Sequence, residues 1–346
     1  MPTLSIVVPA RNEAENVERC VASLLAQCYP DFEVIVVDDE STDATRPILD
    51  GIARAEPRLR VIAGAPLPSG WVGKPWALAQ GARAARGAWL LFTDADTVHE
   101  ANAAASAMAC ALGGEYGVVS LLTDQETVGI AERVVLPSIL LIIFLGVCAL
   151  DDVNDPNKSG IAIFNGQYIL ASRVAYDGIG GHAAVREEIA EDLELARLFK
   201  RDGRFKTFVA GSSGLVRTRM YRTFGEIWFG FVKNFALGAR GHAASAAAGI
   251  TLLACISPLS PIWLVWLLVR GSWTAAALLA TAAVAALLTA EYAMRQMRFR
   301  SGSGLALPLG TSVALAIFTT SLFSMLSGRG VRWRGRRYGG GLRGKR

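Results

Sequence analysis

Carboxylates collect in this sequence where apolar runs end. In "LLFTDADT", residues 90–97, a stretch with the profile of a buried strand stops at Asp94 and Asp96. Carboxylates resist burial unless they are paired or hold a cation, and two side by side repel, so the pair asks for a shared partner. An i, i+2 spacing at a strand end would turn both to one side. That is a seat for Mg²⁺ or Mn²⁺, which take oxygen ligands and keep water and phosphate for the rest of the shell. The competing reading is a pair of turn or capping aspartates ahead of a helix over 99–112. Two further apolar runs end in the same way. "VVPARNE" carries Pro9 and Glu13, and "VVDDESTD" carries Asp38 and Asp39. Acids at such strand ends accept hydrogen bonds from a base N–H or from ribose hydroxyls, while Ser41 or Asp43 suits the cap of the next helix.

"PLPSGWVGKPWALAQG" has the look of a phosphate loop but fails the Walker spacing. That pattern needs glycine where Pro68 stands and Ser or Thr where Pro75 stands. Lys74 near a helix start still suits a diphosphate, because helix N-terminal amides favour negative charge; a surface lysine is the bland alternative. "EEIAED", residues 187–192, reads as the acidic first turn of a helix.

The elements that must position these groups alternate. "LSIVVPA", "FEVIVVDDE", "RLRVIAG", "AWLLFTDAD" and "GVVSLL" read as strands, with helices from about Ala14 to Gln27, from Ser41–Asp43 onward, and over "ALAQGARAARG". Strand–helix alternation predicts an α/β fold with a mostly parallel, Rossmann-like sheet covered on both faces. Ligands bind such sheets at the carboxyl ends of the strands, where all three acidic groups fall.

In their order, "VVPARNE", "VVDDESTD", "GKPWALAQG", "FTDADT" and "AEDLELARLFKRDG" resemble the family 2 glycosyltransferases, inverting enzymes of the GT-A fold. "LPSGWVGKPWALAQG" with "FTDADT" is similar to the membrane-bound branch that includes carotenoid- and hopanoid-associated glycosyltransferases. The resemblance implies that Pro9, Glu13, Asp38 and Asp39 hold the uridine of a UDP-sugar and that Lys74 and Asp94 serve its ribose and diphosphate. It also implies that Asp96 holds the bridging metal and that Asp192 is the general base that deprotonates an acceptor hydroxyl. Glu191, next to it on a helix, is expected to point elsewhere. "FNGQYILASRVAYDGIGGH" resembles the acceptor-side segment, with Asn165, Gly166, Gln167, Gly181 and His182 as lining residues; a lone histidine is more often structural. Arg217, Arg219, Tyr221 and Arg222 stand where processive synthases carry Gln-x-x-Arg-Trp, a motif missing here, which disfavours chain elongation.

At 346 residues, 52% hydrophobic, with a mean hydropathy of +0.35, the chain is too apolar for one soluble domain. The expected organisation is a transferase domain over 1–240, transmembrane helices over 241–328 and a basic tail over 329–346. Residues 243–269, 272–290 and 305–327 are each long enough to span a bilayer. Pro258 and Pro261 break the first, and Arg295, Arg298 and Arg300 mark the loop between the others as cytoplasmic. Three spans would place the tail, with eight Lys/Arg and no acid, outside, against the same rule. Residues 134–150 read as an interfacial or re-entrant segment or a buried core helix. The five cysteines form no CxxC and read as reduced, and the N-terminus has no signal-peptide pattern. The tail suits an anionic membrane surface, and no recognition module accompanies it, so nucleic acid is not an expected partner. Together these place a multi-pass protein in the cell inner membrane with its catalytic domain in the cytoplasm, passing a sugar to a lipid hydroxyl. A polyprenyl-phosphate acceptor and a non-catalytic membrane scaffold are the alternatives.

Overall fold

The computed structural model describes residues 1–146, 150–158, 160–238, 259–326, 331–333 and 336–338. They divide into two compact units, Met1–Glu126 with Cys148–Arg219, and Thr127–Val147 with Met220–Arg346. The boundary expected at residue 240 therefore does not coincide with the division by packing.

The first unit follows the alternation expected of it. In order come β1 (Leu4–Ala10), α1 (Val17–Leu25), β2 (Phe32–Asp38), α2 (Thr45–Ala55), β3 (Leu59–Ala63), α3 (Gly73–Ala84), β4 (Trp89–Phe92), β5 (Thr97–His99), α4 (Ala103–Gly113), β6 (Tyr116–Leu122) and β7 (Asp124–Gln125). Past a helix of the second unit, α5 (Ile130–Gly146), come α6 (Leu150–Asn154), β8 (Ile169–Ser172), α7 (Arg173–Gly178), α8 (Gly181–Ala184), α9 (Glu191–Asp202), β9 (Lys206–Gly211) and β10 (Val216–Thr218). The main sheet has seven strands in the order β3-β2-β1-β4-β8-β6-β9. Only β8 runs against its neighbours, β4 and β6.

β1 and β2 are buried almost throughout, as central parallel strands covered on both faces must be. α1 buries Val17, Cys20, Val21 and Leu24, the spacing of one helical face. At β1 the strand order turns from β2 on one side to β4 on the other, and at such a switch point the strand ends open a crevice for ligands. A smaller sheet, β5-β10-β7, carries the chain on from β4.

The strand expected over "AWLLFTDAD" is shorter than the sequence suggested. β4 stops at Phe92, and Asp94 and Asp96 lie in the turn before β5. The Asp94 carbonyl accepts from the Thr97 N–H at 3.3 Å and from the Thr97 hydroxyl at 2.7 Å. These bonds close the turn, so it and not strand alternation sets the aspartates' directions.

In the second unit α5, α10 (Phe224–Gly238) and α13 (Leu307–Leu326) pack together, after α11 (Ser260–Val269) and α12 (Trp273–Gln296). Val135, Leu136, Ile139, Ile227, Phe231, Ala314 and Ile317 form their core. A side chain at Gly310 would meet Ser138 Oγ and the Val134 carbonyl, so glycine is what lets α13 approach α5 this closely. Trp273–Gln296 and Ser303–Ser324 are long and apolar enough to cross a membrane. They match the second and third expected spans. Of the first, residues 243–258 lie outside the described residues and α11 covers the remainder. Among the described cysteines, Cys20, Cys28 and Cys110 are free thiols.

Candidate active site

The loops after β1 and β2 are latched together. Asn12 N–H donates to Ser41 Oγ at 3.0 Å, Glu13 N–H to Thr45 Oγ1 at 2.8 Å, and Thr42 N–H to Asn12 Oδ1 at 2.8 Å. Asp43 receives Ala14 N–H and Thr45 N–H, so it covers the start of α2 while joining the loops. Asn12 and Glu40 both hold left-handed backbone, at φ 53° and 57°, a strain met at ligand-binding turns. Of the residues expected at the nucleoside, Pro9 is half-buried and Glu13, Asp38 and Asp39 are buried. Asp38 Oδ1 accepts from Ser41 N–H at 3.1 Å, and Arg11 Nη1 lies 3.6 Å from Asp39 Oδ2.

Lys74 occupies the first turn of α3 and reaches both edges of the site. Its Nζ lies 2.8 Å from Asp94 Oδ1, in the turn after β4, and 2.9 Å from Glu191 Oε1, at the start of α9. Burial pulls the Lys74 pKa down, but Asp94, Glu191 and Asp192 together outweigh it and hold it well above the ordinary lysine value. Burial pushes Glu191 above the usual glutamate range, against the pull of Lys74.

Asp192 lies beside this pair. Its Oδ2 accepts from Gly166 N–H at 3.0 Å and its Oδ1 from Leu193 N–H at 2.9 Å. A Cβ on Gly166 would sit 3.0 Å from Lys74 Nζ, 3.2 Å from Asp192 Oδ2 and 3.4 Å from Glu191 Oε1. Gly166 is thus the point where lysine, base candidate and acceptor-side segment meet.

The expectation for Glu191 is corrected. It is buried against Lys74, on the α9 face that also buries Leu195, Ala196 and Phe199. That stripe is legible in "EDLELARLF": Glu191 falls one helical turn before Leu195 and two before Phe199, so it shares their inward direction.

The other acceptor-side residues are spread differently. Asn165 Nδ2 donates to the Leu121 carbonyl and Thr123 Oγ1, both at 3.2 Å. The Gln167 side chain is buried, taking the Thr123 hydroxyl and donating to Thr218 Oγ1 at 3.3 Å. Gly181 has φ +53°, and a Cβ there would lie 2.5 Å from the Tyr176 ring. His182 is buried between Phe92 and Tyr176, its Nδ1 2.9 Å from the Tyr176 hydroxyl. Burial first, and Lys74 second, lower its pKa to about 3. Arg217 is committed to Glu100 and Glu126, each at 3.1 Å, while Tyr221 packs on Phe231 in the second unit.

Among the described residues no group of three or more His, Cys, Asp or Glu could hold a metal ion alone. The acidic set fits Mg²⁺ or Mn²⁺ all the same. Asp94, Glu191 and Asp192 surround the single ammonium of Lys74, so carboxylate exceeds cation before any diphosphate arrives, and one added divalent ion corrects the balance. Such ions bind through one or two carboxylates plus phosphate oxygens, and the turn after β4 carries two carboxylates, Asp94 and Asp96.

Residues 5–145 match the family model described as glycosyl transferase family 2. This segment is a family 2 glycosyl transferase domain. A 4,4'-diaponeurosporenoate glycosyltransferase of Staphylococcus aureus is 27% identical over 253 residues, 72% of this chain and 65% of that relative's length. The chain therefore spans just under two thirds of this curated relative. The uncharacterized glycosyltransferase EpsJ of Bacillus subtilis is 38% identical over 96 residues, 28% of this chain and 26% of its own. The solved mannosyltransferase of Pyrobaculum calidifontis, in complex with GDP-Man and Mn²⁺, superposes with a TM-score of 0.57 at 20% identity, covering 93% of this chain and 86% of that one. The fold is that of the GT-A glycosyltransferases.

Proposed function

We propose that this protein is an inverting glycosyltransferase that moves one sugar from a UDP-sugar to a hydroxyl of a membrane lipid. The observation that carries the reading is the bridge made by Lys74. It joins the Asp94 turn, where a donor diphosphate would lie, to the Glu191–Asp192 turn, where an acceptor would be deprotonated.

Pro9, Glu13, Asp38 and Asp39 line the nucleoside side, where two latched loops offer buried acceptors for base and ribose. Lys74, at a helix start, turns its ammonium to the diphosphate with the helix amides behind it. Asp96 would hold the divalent ion, which when bound would offset the charge of the leaving diphosphate. Asp192 takes the acceptor proton, and its Oδ2, oriented by Gly166 N–H, is the atom placed for it. One base and direct displacement invert the anomeric centre. A lipid acceptor is supported by the diaponeurosporenoate-glycosylating relative and by two helices long and apolar enough to span a bilayer. These segments would anchor a multi-pass protein in the inner membrane with its catalytic domain in the cytoplasm.

The test is nucleotide binding followed by transfer. UDP is titrated into wild type and Asp96→Ala with and without Mn²⁺, with GDP alongside because the mannosyltransferase of the same fold holds GDP-Man. Metal-dependent UDP binding lost in Asp96→Ala supports the donor site. Radiolabel passing from UDP-sugar into extracted lipid, in a base-stable linkage, supports a glycoside over a sugar phosphate. Absence of UDP binding in either condition removes the donor assignment.

A further inference from the structure

The turn that carries Asp94 and Asp96 rests on a buried cluster of hydroxyls around one histidine. Thr93 Oγ1 and Thr97 Oγ1 are 2.9 Å apart, and His99 Nε2 lies 3.1 Å from the first and 2.9 Å from the second. All three residues are buried. The Thr93 hydroxyl donates to the Gln167 carbonyl at 2.7 Å, and the Thr97 hydroxyl to the Asp94 carbonyl at 2.7 Å.

Counting protons decides what the histidine does. A hydroxyl has one proton, and a carbonyl only accepts. Both threonine protons are directed to carbonyls, so neither is available to His99, and the 2.9 Å contact between the two hydroxyl oxygens carries no proton of its own. Nε2 must then be the donor, and burial, which lowers the His99 pKa to about 3, keeps the ring neutral with Nδ1 bare.

The cluster reaches both aspartates through their backbone. Cys20 Sγ adds a third donor to the Asp94 carbonyl at 3.6 Å, after the Thr97 N–H and hydroxyl. On the other side the Thr218 hydroxyl lies 3.3 Å from the Asp96 carbonyl, and Thr218 Oγ1 accepts from Gln167 Nε2. Gln167 thereby joins the two halves, its carbonyl held by Thr93 and its side chain by Thr218. The peptide units of both acids are gripped from the buried side.

We propose that His99 is a positioning residue for the Asp94–Asp96 turn, its Nε2–H completing the hydroxyl network that fixes the two carboxylates for the metal-bound diphosphate. The proposal rests on the donor-site reading above. Without the Nε2–H, the Thr93 or Thr97 hydroxyl must turn from its carbonyl to its neighbour, or leave a buried lone pair unmet. Either change loosens the turn. Groups that orient metal ligands typically contribute about 10- to 100-fold in metal affinity.

Two measurements test it. Nitrogen-15 NMR of histidine-labelled full-length protein in detergent reads the imidazole tautomer directly, and the sequence has only three histidines to assign. The expected result is the Nε2–H form at His99; an Nδ1–H form overturns the proton count. Calorimetry then measures Mn²⁺ affinity in the presence of saturating UDP for wild type, His99→Leu and His99→Gln. The leucine variant should bind Mn²⁺ about 10-fold or more weakly, with metal-free UDP binding unchanged. Glutamine, whose amide can donate, should restore most of the loss. A folded His99→Leu protein with wild-type Mn²⁺ affinity overturns the proposal while leaving the donor site intact. Wild type that binds no Mn²⁺ with UDP removes the donor reading first, and the proposal with it.

Discussion

Lys74 Nζ and Glu191 Oε1 lie 2.9 Å apart, joining the first turn of α3 to the first turn of α9. Because Lys74 also holds Asp94, one ammonium ties the donor side of the site to the helix that carries the candidate base. The bridge has a consequence for donor binding: a diphosphate must compete with two carboxylates for Lys74. Lys74→Met removes that cation and leaves Glu191 buried without it. Charge-assisted hydrogen bonds contribute roughly 1.5–3 kcal/mol, so UDP affinity should fall about 10- to 100-fold. Calorimetric titration of UDP in the presence of Mn²⁺ reads the loss, and unchanged affinity would remove Lys74 from the donor site.

Metal binding should depend on the nucleotide. No cluster of three ligand-type side chains is present among the described residues, and one or two carboxylates hold Mg²⁺ or Mn²⁺ poorly without phosphate oxygens. Mn²⁺ followed by electron paramagnetic resonance should remain largely free with protein alone and become bound when UDP is added. Asp96→Ala should abolish that UDP-dependent binding. Equal binding with and without UDP would point to a protein-only metal site elsewhere.

Asp192→Asn preserves the shape of the side chain and removes its basicity. The amide oxygen can keep one of the two bonds, from Gly166 N–H or Leu193 N–H, while its NH2 faces the other; both groups lie on the acceptor side, so the fold and UDP affinity should be retained. Transfer should fall by about 10²- to 10⁴-fold, the span of general-base contributions. Near-normal turnover by the asparagine variant would remove Asp192 as the base.

The strand ends were legible because their apolar runs and terminal acids are local in sequence. β1, β2 and their loops fall where the pattern places them, as do Asp38, Asp39 and Lys74. The turn at Asp94–Asp96 was misread as strand because "LLFTDAD" keeps β-type residues up to Thr93, while Thr97 closes the turn from beyond it. Glu191 was expected to point away because it is the helix neighbour of Asp192, although its spacing from Leu195 and Phe199 puts it on the buried face of α9. The hydroxyl cluster under the turn was not readable, since Thr93, Gln167 and Thr218 meet only through the order of strands in the two sheets.

Gly166→Ala separates geometry from charge. The added methyl would stand 3.0 Å from Lys74 Nζ and 3.2 Å from Asp192 Oδ2, closer than most side-chain contacts allow, so one or both must move. Displacement of a base by about 1 Å costs on the order of 100-fold in rate. Steady-state transfer assays should therefore show a larger loss in kcat than in donor affinity. A loss of donor affinity with kcat unchanged would mean that Gly166 matters to the donor side alone.

The two buried histidines give the stability of the first unit a defined pH dependence. Burial lowers the pKa of His99 and of His182, the latter with help from Lys74, to about 3 in each case. In the unfolded chain both titrate near ~6.5. Between these values the unfolded state binds more protons than the folded one, so stability rises with pH across the window and is lost as pH falls from about 6.5 toward about 3. Each histidine contributes a slope of up to about 1.4 kcal/mol per pH unit there. Denaturant midpoints measured from pH 7 to pH 4 should fall steadily in wild type. The fall should be shallower in His182→Gln, whose amide does not titrate, with the two curves converging as pH drops. Parallel curves would show that His182 is not the group being protonated on unfolding.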